Sequence, residues 1–272
     1  MGKTSLSVIL PTINEAENLK VLIPSLFKTL ESRVLKLEVI VVDDGSTDDT
    51  REVLDDLANK YSSIIGIFRK PIEKSLPRSI QIGINAASNE LVAWMDADGS
   101  MTADVLSELL DAWQKSVSPS ESIVIASRFA EGGFVKGASR VGPLGFLQAA
   151  KNLHNTEDSF LAVVLSWSLN QLLYLALGKC CKDATSGFAL GPRSFLKRYP
   201  LRGTYGDYFP RLMYEVHKSN KTIIEIPYKI LVRLQGTSKT GTTAFEILRS
   251  GLPYLRVLLV PLRYRRRIKA DA

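Results

Sequence analysis

Cysteine, histidine and clean apolar runs are all scarce in this chain. It has two cysteines in 272 residues, Cys180 and Cys181, side by side. Neighbouring cysteines do not close an ordinary structural disulfide. A cysteine-stapled secreted scaffold is therefore excluded, as is a zinc site built from repeated cysteine pairs. The two histidines, His154 and His217, lie far apart and match no metal-ligand or catalytic-triad spacing. No apolar run supplies the roughly 20 clean residues that a helix needs to cross a bilayer. The nearest approach, residues 159–177, is interrupted by Ser166, Ser168, Asn170 and Gln171. Such a stretch reads as an interfacial or buried helix rather than a span. Internal repeats, low-complexity tracts and linkers are also missing, so nothing cuts the chain into independent domains. Met1-Gly2-Lys3-Thr4-Ser5 leads straight into a strand-like run, so no signal peptide is expected. The expected location is the cytosol or a cytosol-facing membrane surface, with peripheral or interfacial attachment.

What the chain has in excess is positive charge. The net charge is +7, which favours an anionic partner: nucleic acid, an anionic membrane or phosphorylated substrates. A nucleic-acid binder would cluster Lys and Arg with interleaved aromatics on one face. Only residues 263–269, from Arg263 to Lys269, look that way, so no nucleic-acid partner is expected. The same basic end, after an apolar stretch from Ala244, suits anionic lipid headgroups.

Periodicity gives the architecture. Strand-like runs at 6–10, 37–42, 64–68, 91–95 and 122–126 alternate with helical patterns. Leu19, Leu22, Ile23, Leu26 and Leu30 recur at helical spacing, with Pro24 expected to kink that helix. Pro11 is expected to end the first strand, and Thr12 with Glu15 has the spacing of a capping box. Pro77 suits the first turn of a helix reaching about Ala87. Alternation of this kind implies βαβ units and a mostly parallel α/β sheet. A further strand is expected over 222–232.

Asp96-Ala97-Asp98 is the most telling motif. It closes the apolar run Leu91-Val92-Ala93-Trp94-Met95 and precedes Gly99-Ser100. Open α/β sheets bind ligands where such strands end. Two carboxylates one residue apart repel one another and call for a cation. Oxygen-only ligands suit Mg²⁺ or Mn²⁺, usually with substrate phosphates completing the shell.

Three other signals accompany it in order: Pro11-Thr12-x-Asn14-Glu15, Asp43-Asp44-Gly45-Ser46 and Arg233-x-x-Gly236-x-Ser238-Lys239. Between them lie Ser127-Arg128-Phe129 and Asp183-Ala184-Thr185-Ser186-Gly187-Phe188. Over about residues 5–240 the set resembles the GT-A glycosyltransferases of family 2, and within them the dolichyl- or polyprenyl-phosphate mannosyl- and glucosyltransferases. The resemblance implies a Rossmann-like, mostly parallel sheet with helices on both faces. It places the transferase domain at 1–243, including interfacial, amphipathic helices at 145–177, and the apolar and basic tail at 244–272. It implies transfer, with inversion, from a nucleotide-diphosphate sugar such as GDP-mannose or UDP-glucose to a polyprenyl phosphate.

By the same resemblance, Pro11, Ile13, Glu15, Val42 and Asp44 line the nucleoside pocket. Asp96, Ala97 and Asp98 face the sugar nucleotide, with Asp96 and Asp98 holding the metal. Arg128, Arg233 and Lys239 surround the phosphates, and Ser139 and Arg140 meet the lipid phosphate. Asp43 reads instead as a cap for the turn at Ser46-Thr47.

The chain departs from the family pattern after the second carboxylate, where Gly99-Ser100 stands in place of Leu-Gln. Ser100 either joins the metal through its hydroxyl or leaves that place to water. Asp207 is a candidate for an acidic residue expected near Tyr205-Gly206-Asp207-Tyr208-Phe209. The Gln-x-x-Arg-Trp signature of processive synthases is missing. A family member with a hydroxyl acceptor remains an alternative, and it would need a positioned general base.

Overall fold

The structure is a computed structural model that describes residues 3–70, 73–131, 160–229 and 252–261, with backbone only for 160–166. Four parallel strands and their helices open the chain. They are β1 (Leu6–Thr12), α1 (Ala16–Leu30), β2 (Leu37–Asp43), α2 (Thr50–Lys60), β3 (Ile64–Phe68), α3 (Leu76–Ala86) and β4 (Leu91–Trp94). Then follow α4 (Ala103–Gln114), β5 (Ser122–Ser127), α5 (Phe160–Ala176), β6 (Ala189–Pro192), α6 (Arg193–Arg198), α7 (Tyr208–Lys218) and β7 (Thr222–Pro227).

Among the described residues the sheet has seven strands, in the order β3-β2-β1-β4-β6-β5-β7. β1 pairs in parallel with β2 and β4, β2 with β3, and β5 with β7. β6 alone runs antiparallel, wedged between β4 and β5. The carboxyl ends of six strands therefore meet at one edge, the edge where α/β sheets place ligands.

Alternation along the strands builds a core on each face. Leu6, Val8 and Leu10 of β1 point with Val39 and Val41 into a layer closed by α1, α2 and α4. Ile9, Ile40 and Val42 point into the other layer, closed by α3, α5, α6 and α7. Helix α3 lies so close to β1 that a Cβ on Gly83 would fall 2.4 Å from Ile9 Cγ2. Glycine is needed there for approach, not for a special backbone angle.

Several details differ from the sequence pattern. Pro11 sits inside β1, opposite Val42, and the strand ends one residue later. Thr12 donates its hydroxyl to the Leu10 carbonyl at 3.0 Å, and Glu15 makes no side-chain cap, so the capping box does not form. Helix α1 runs through Pro24 without a break. β7 ends at Pro227 rather than 232. Strand β6 and helices α6 and α7 were not foreseen. Cys180 and Cys181 are free thiols with their Sγ atoms 3.9 Å apart.

Of the interfacial, amphipathic helices expected over 145–177, helix α5 describes the part from Phe160, with side chains from Trp167 onward. Asn170, Leu173 and Leu177 at its end are fully buried, while Trp167, Leu172 and Leu175 on the opposite side are exposed. From Trp167 onward, apolar groups therefore lie on both the buried and the exposed side. No helix among the described residues is long and apolar enough to cross a membrane. The boundary at 243/244 and the segment 145–159 lie outside the described residues.

Candidate active site

The first two motifs fold as one brace. Asn14, held at φ +53°, accepts from the Thr47 backbone N–H at 2.8 Å, and its own N–H donates to Ser46 Oγ at 2.8 Å. The start of α1 is capped from across this gap. The Ala16 N–H donates to Asp48 Oδ2 and the Glu15 N–H to Thr50 Oγ1, each at 3.2 Å. The orphan amides of a helix start need such acceptors. Here a neighbouring turn supplies them, which local spacing could not reveal. Asp43 accepts from the Ser46 N–H and hydroxyl, as expected of a turn cap. Gly45, at φ +83°, gives the turn its left-handed residue.

A cavity of about 380 Å³ opens beside this brace, at the ends of β2 and β3, lined among others by Asp44, Ser46, Phe68, Arg69 and Lys74. The Arg51 guanidinium stacks 3.7 Å over the Phe68 ring in its wall. Asp44 is 7% exposed and doubly engaged: Arg69 donates to Oδ1 at 2.5 Å and the Ser75 N–H to Oδ2 at 2.7 Å. Arg69 also donates to Ser79 Oγ at 2.7 Å. Arg69 is a cavity-lining residue and candidate site residue that the sequence pattern did not single out. It stands 25 residues after Asp44 and belongs to no motif. Of the expected nucleoside contacts, Asp44 lines the cavity. Val42 does not, because its side chain is fully buried in the core. Glu15 accepts from Asn18 Nδ2 at 2.6 Å inside α1. Pro11 and Ile13 lie on the β1 side of the same edge.

Asp96 and Asp98 follow β4 on that edge, outside the cavity lining. Gly99, at φ +78°, turns the chain so that Ser100 folds back on Asp98. The Ser100 N–H and hydroxyl donate to Asp98 Oδ1 at 3.0 and 2.6 Å. Ser100 therefore holds the carboxylate in place through the proton of its hydroxyl. The Asp96 N–H donates to Met101 Sδ at 3.3 Å, and Ala97 is buried between the two acids. Among the described residues no group of three His, Cys, Asp or Glu forms a metal cage. The donor set is two carboxylates and a hydroxyl, all oxygen. That fits a hard divalent ion that also takes substrate and water oxygens.

Arg128 directly follows β5 and is gripped by the loop before β6. Its Nε and Nη2 donate to Asp183 Oδ2 and Oδ1, both at 2.8 Å, and Nη2 also donates to Thr185 Oγ1 at 2.7 Å. Burial pulls the guanidinium pKa down, but the charge and hydrogen bonds of Asp183 outweigh it and hold it above its ordinary value. Arg128 is thus a charged member of a fork, with its Nε–Nη2 edge engaged by Asp183 and Thr185. Asp183 is fully buried, and its loop is anchored from two sides. Asn170 of α5 donates to the Lys182 carbonyl and accepts from the Ala184 N–H at 3.0 Å. Glu225 of β7 accepts from the Lys182 and Asp183 N–H groups at 2.6 and 3.2 Å. Asn170, which reads in the sequence as an interruption of an apolar run, is in fact the clamp of this loop.

Asp207 caps α7. Its Oδ1 accepts from the Thr204 and Tyr205 N–H groups at 2.8 and 3.0 Å, and Arg211 Nε donates to Oδ2 at 3.2 Å. Next to it, Tyr208 accepts from Trp94 Nε1 at 3.0 Å. Burial, reinforced by the charge of Asp96, pushes the Tyr208 phenol well above its ordinary pKa. Ser139, Arg140, Arg233 and Lys239 lie outside the described residues.

Fold and edge together define a GT-A type α/β transferase: a parallel sheet with a nucleoside-sized cavity and an Asp-x-Asp pair on its carboxyl edge. Residues 7–199 match the model of glycosyl transferase family 2, and the chain belongs to that family. It is 29% identical over 257 residues to a dolichol-phosphate mannosyltransferase of Pyrococcus furiosus, covering 89% of this chain and 61% of that protein's length. It is 26% identical over 238 residues to a polyprenol monophosphomannose synthase of Mycolicibacterium smegmatis, covering 85% of this chain and 79% of the relative. Among solved structures, mannosyl-3-phosphoglycerate synthase of Rubrobacter xylanophilus superposes with a TM-score of 0.64 at 15% identity, over 97% of this chain and 76% of that one. Glucosyl-3-phosphoglycerate synthase of Mycobacterium tuberculosis, crystallised with Mn²⁺, UDP and phosphoglyceric acid, gives 0.62 at 17% identity, over 94% and 78%. These structural likenesses establish the shared fold.

Proposed function

We propose that this chain transfers a hexose, mannose or glucose, with inversion, from a nucleotide-diphosphate sugar to a polyprenyl phosphate at a membrane surface. One observation carries the reading: Asp96 and Asp98 share a sheet edge with a cavity whose volume, about 380 Å³, suits a nucleoside. Asp44, Arg69 and Phe68 receive the nucleoside portion there. Asp98, oriented by Ser100, and Asp96 hold Mg²⁺ or Mn²⁺ against the diphosphate. Held there by Asp96 and Asp98, a divalent ion would supply charge neutralisation for the leaving nucleoside diphosphate.

In the transfer, an acceptor phosphate oxygen bonds to the anomeric carbon as the bond from that carbon to the diphosphate oxygen breaks. The acceptor is already anionic near neutral pH, since the second pKa of a phosphate ester is about 6. No enzyme base is required; among the described residues His217 packs beside Gly178, its Nε2 3.8 Å from where a Cβ would sit. The protein's contribution is positioning and electrostatics. Arg128 lends fixed positive charge from its fork, and Arg233, Lys239, Ser139 and Arg140 supply the remaining phosphate contacts.

The lipid acceptor is supported by the two curated relatives, both named for polyprenol-type phosphates. It is also supported by surface chemistry. Trp167, Leu172 and Leu175 of α5, with Leu252, Leu255 and Leu259 of the neighbouring tail segment, are large exposed apolar groups. Lys179, Lys182 and Arg256 stand near them in sequence. Apolar groups rimmed by basic ones suit an anionic lipid interface. Incubation with labelled GDP-mannose, UDP-glucose and related donors, polyprenyl phosphate and Mg²⁺, followed by lipid extraction, tests the reading. Label in the lipid fraction supports it, and turnover confined to water-soluble acceptors contradicts it.

A further inference from the structure

Tyr228 directly follows β7, and its position is well fixed. Its N–H donates to the Ser127 carbonyl at 3.1 Å, which sets it beside Arg128. Its ring stands edge-on to Phe188, with centroids 6.3 Å apart and planes at 89°. It shares an apolar layer with Met95, Ala97 and Met101, the residues that flank Asp96 and Asp98. The residue is only 3% exposed, yet among the described residues its hydroxyl has no hydrogen-bond partner.

A buried hydroxyl without a partner is rare and destabilising, and it calls for a reason. The contrast with Tyr208, whose hydroxyl is met by Trp94, shows that this fold satisfies a buried phenol where it serves packing. Burial raises the Tyr228 pKa most, Arg128 opposes that rise, and Asp183, Asp96 and Asp98 add to it. The hydroxyl therefore lies within electrostatic reach of both the carboxylate pair and the arginine fork. An anionic oxygen held between a cation on Asp96 and Asp98 and the charge of Arg128 would lie in the same region. A phenol donating to a charged oxygen makes one of the stronger neutral-donor bonds.

We infer that Tyr228 is a substrate-contacting residue whose hydroxyl donates to a phosphate oxygen of a bound substrate. The inference rests on the proposed transfer reaction. The phosphate is either that of the donor diphosphate or that of the acceptor, and the two are separable by experiment.

The test compares the unaltered full chain with Tyr228→Phe, which keeps the ring and removes only the hydroxyl. Thermal unfolding without ligand serves as the fold control, and its midpoint should stay level or rise, because an unsatisfied polar group has gone. GDP and UDP are then titrated calorimetrically in the presence of Mn²⁺, and KM for polyprenyl phosphate is measured. Loss of one hydrogen bond to a charged oxygen should weaken binding by about tenfold. A tenfold loss in diphosphate affinity identifies the donor phosphate. A tenfold rise in acceptor KM with unchanged diphosphate affinity identifies the acceptor phosphate. Unchanged values of both, or a clear fall in the unfolding midpoint, overturn the inference and make Tyr228 structural. If the unaltered protein binds neither GDP nor UDP, the donor reading itself fails, and this inference with it.

Discussion

Asp183 holds Arg128 in a two-point fork at the carboxyl edge of the sheet, with both bonds at 2.8 Å and the carboxylate fully buried. The pair ties the end of β5 to the loop before β6, so it fixes charge and backbone together. Removing one partner of a buried pair strands the other, at a cost of about 3–5 kcal/mol. Asp183→Ala should therefore lower unfolding stability by about that amount in urea titration. A loss below about 1 kcal/mol, the range of surface pairs, would show that the fork is weak.

Asn170→Ala should act on the same loop from the other side. It leaves the Lys182 carbonyl and the buried Ala184 N–H without their side-chain partner. The expected loss is about 1–3 kcal/mol in the same titration. Asn170→Leu should be no better tolerated, although leucine suits an apolar helix. Stabilisation by leucine would mean that α5 belongs in lipid rather than against the sheet.

Asp98→Ala should leave the fold intact and reduce kcat by at least about a hundredfold, because metal stabilisation of a leaving group contributes several kcal/mol. Chelation should have the same effect on the unaltered protein, with recovery on adding Mg²⁺ or Mn²⁺. Full activity after chelator treatment would contradict a metal held by Asp96 and Asp98.

Leu172→Glu with Leu175→Glu places two charges on the exposed side of α5, where these residues are 44% and 64% exposed. Fold stability should change little. Sedimentation with anionic vesicles should fall sharply, and neutral vesicles should bind weakly throughout. Undiminished binding by the double variant would move the membrane contact elsewhere.

Much of the edge was legible in the sequence because strand ends announce themselves. The run ending at Met95 located Asp96 and Asp98, and Asp43 behaves as the turn cap that its spacing to Ser46 implied. Contacts between distant segments were not legible. The Thr12–Glu15 spacing matched a local cap, but Asp48 and Thr50 from the next turn provide the acceptors instead. Arg69 and Asp183 carry ordinary charges whose partners, Asp44 and Arg128, are brought to them only by the sheet order. Strand β6 is four residues of Ala189-Leu190-Gly191-Pro192, too short to show a period, and its place is set by pairing to β4 and β5.

The central claim is that the acceptor brings its own charged nucleophile. Rates with polyprenyl phosphate and with the free polyprenol, measured at saturating donor and metal under identical conditions, test it most directly. The account predicts turnover with the phosphate only, falling as pH drops through the second phosphate pKa of about 6, because protonation removes charge from the attacking oxygen. Efficient glycosylation of the free alcohol would contradict it and assign the chain to the hydroxyl-acceptor transferases.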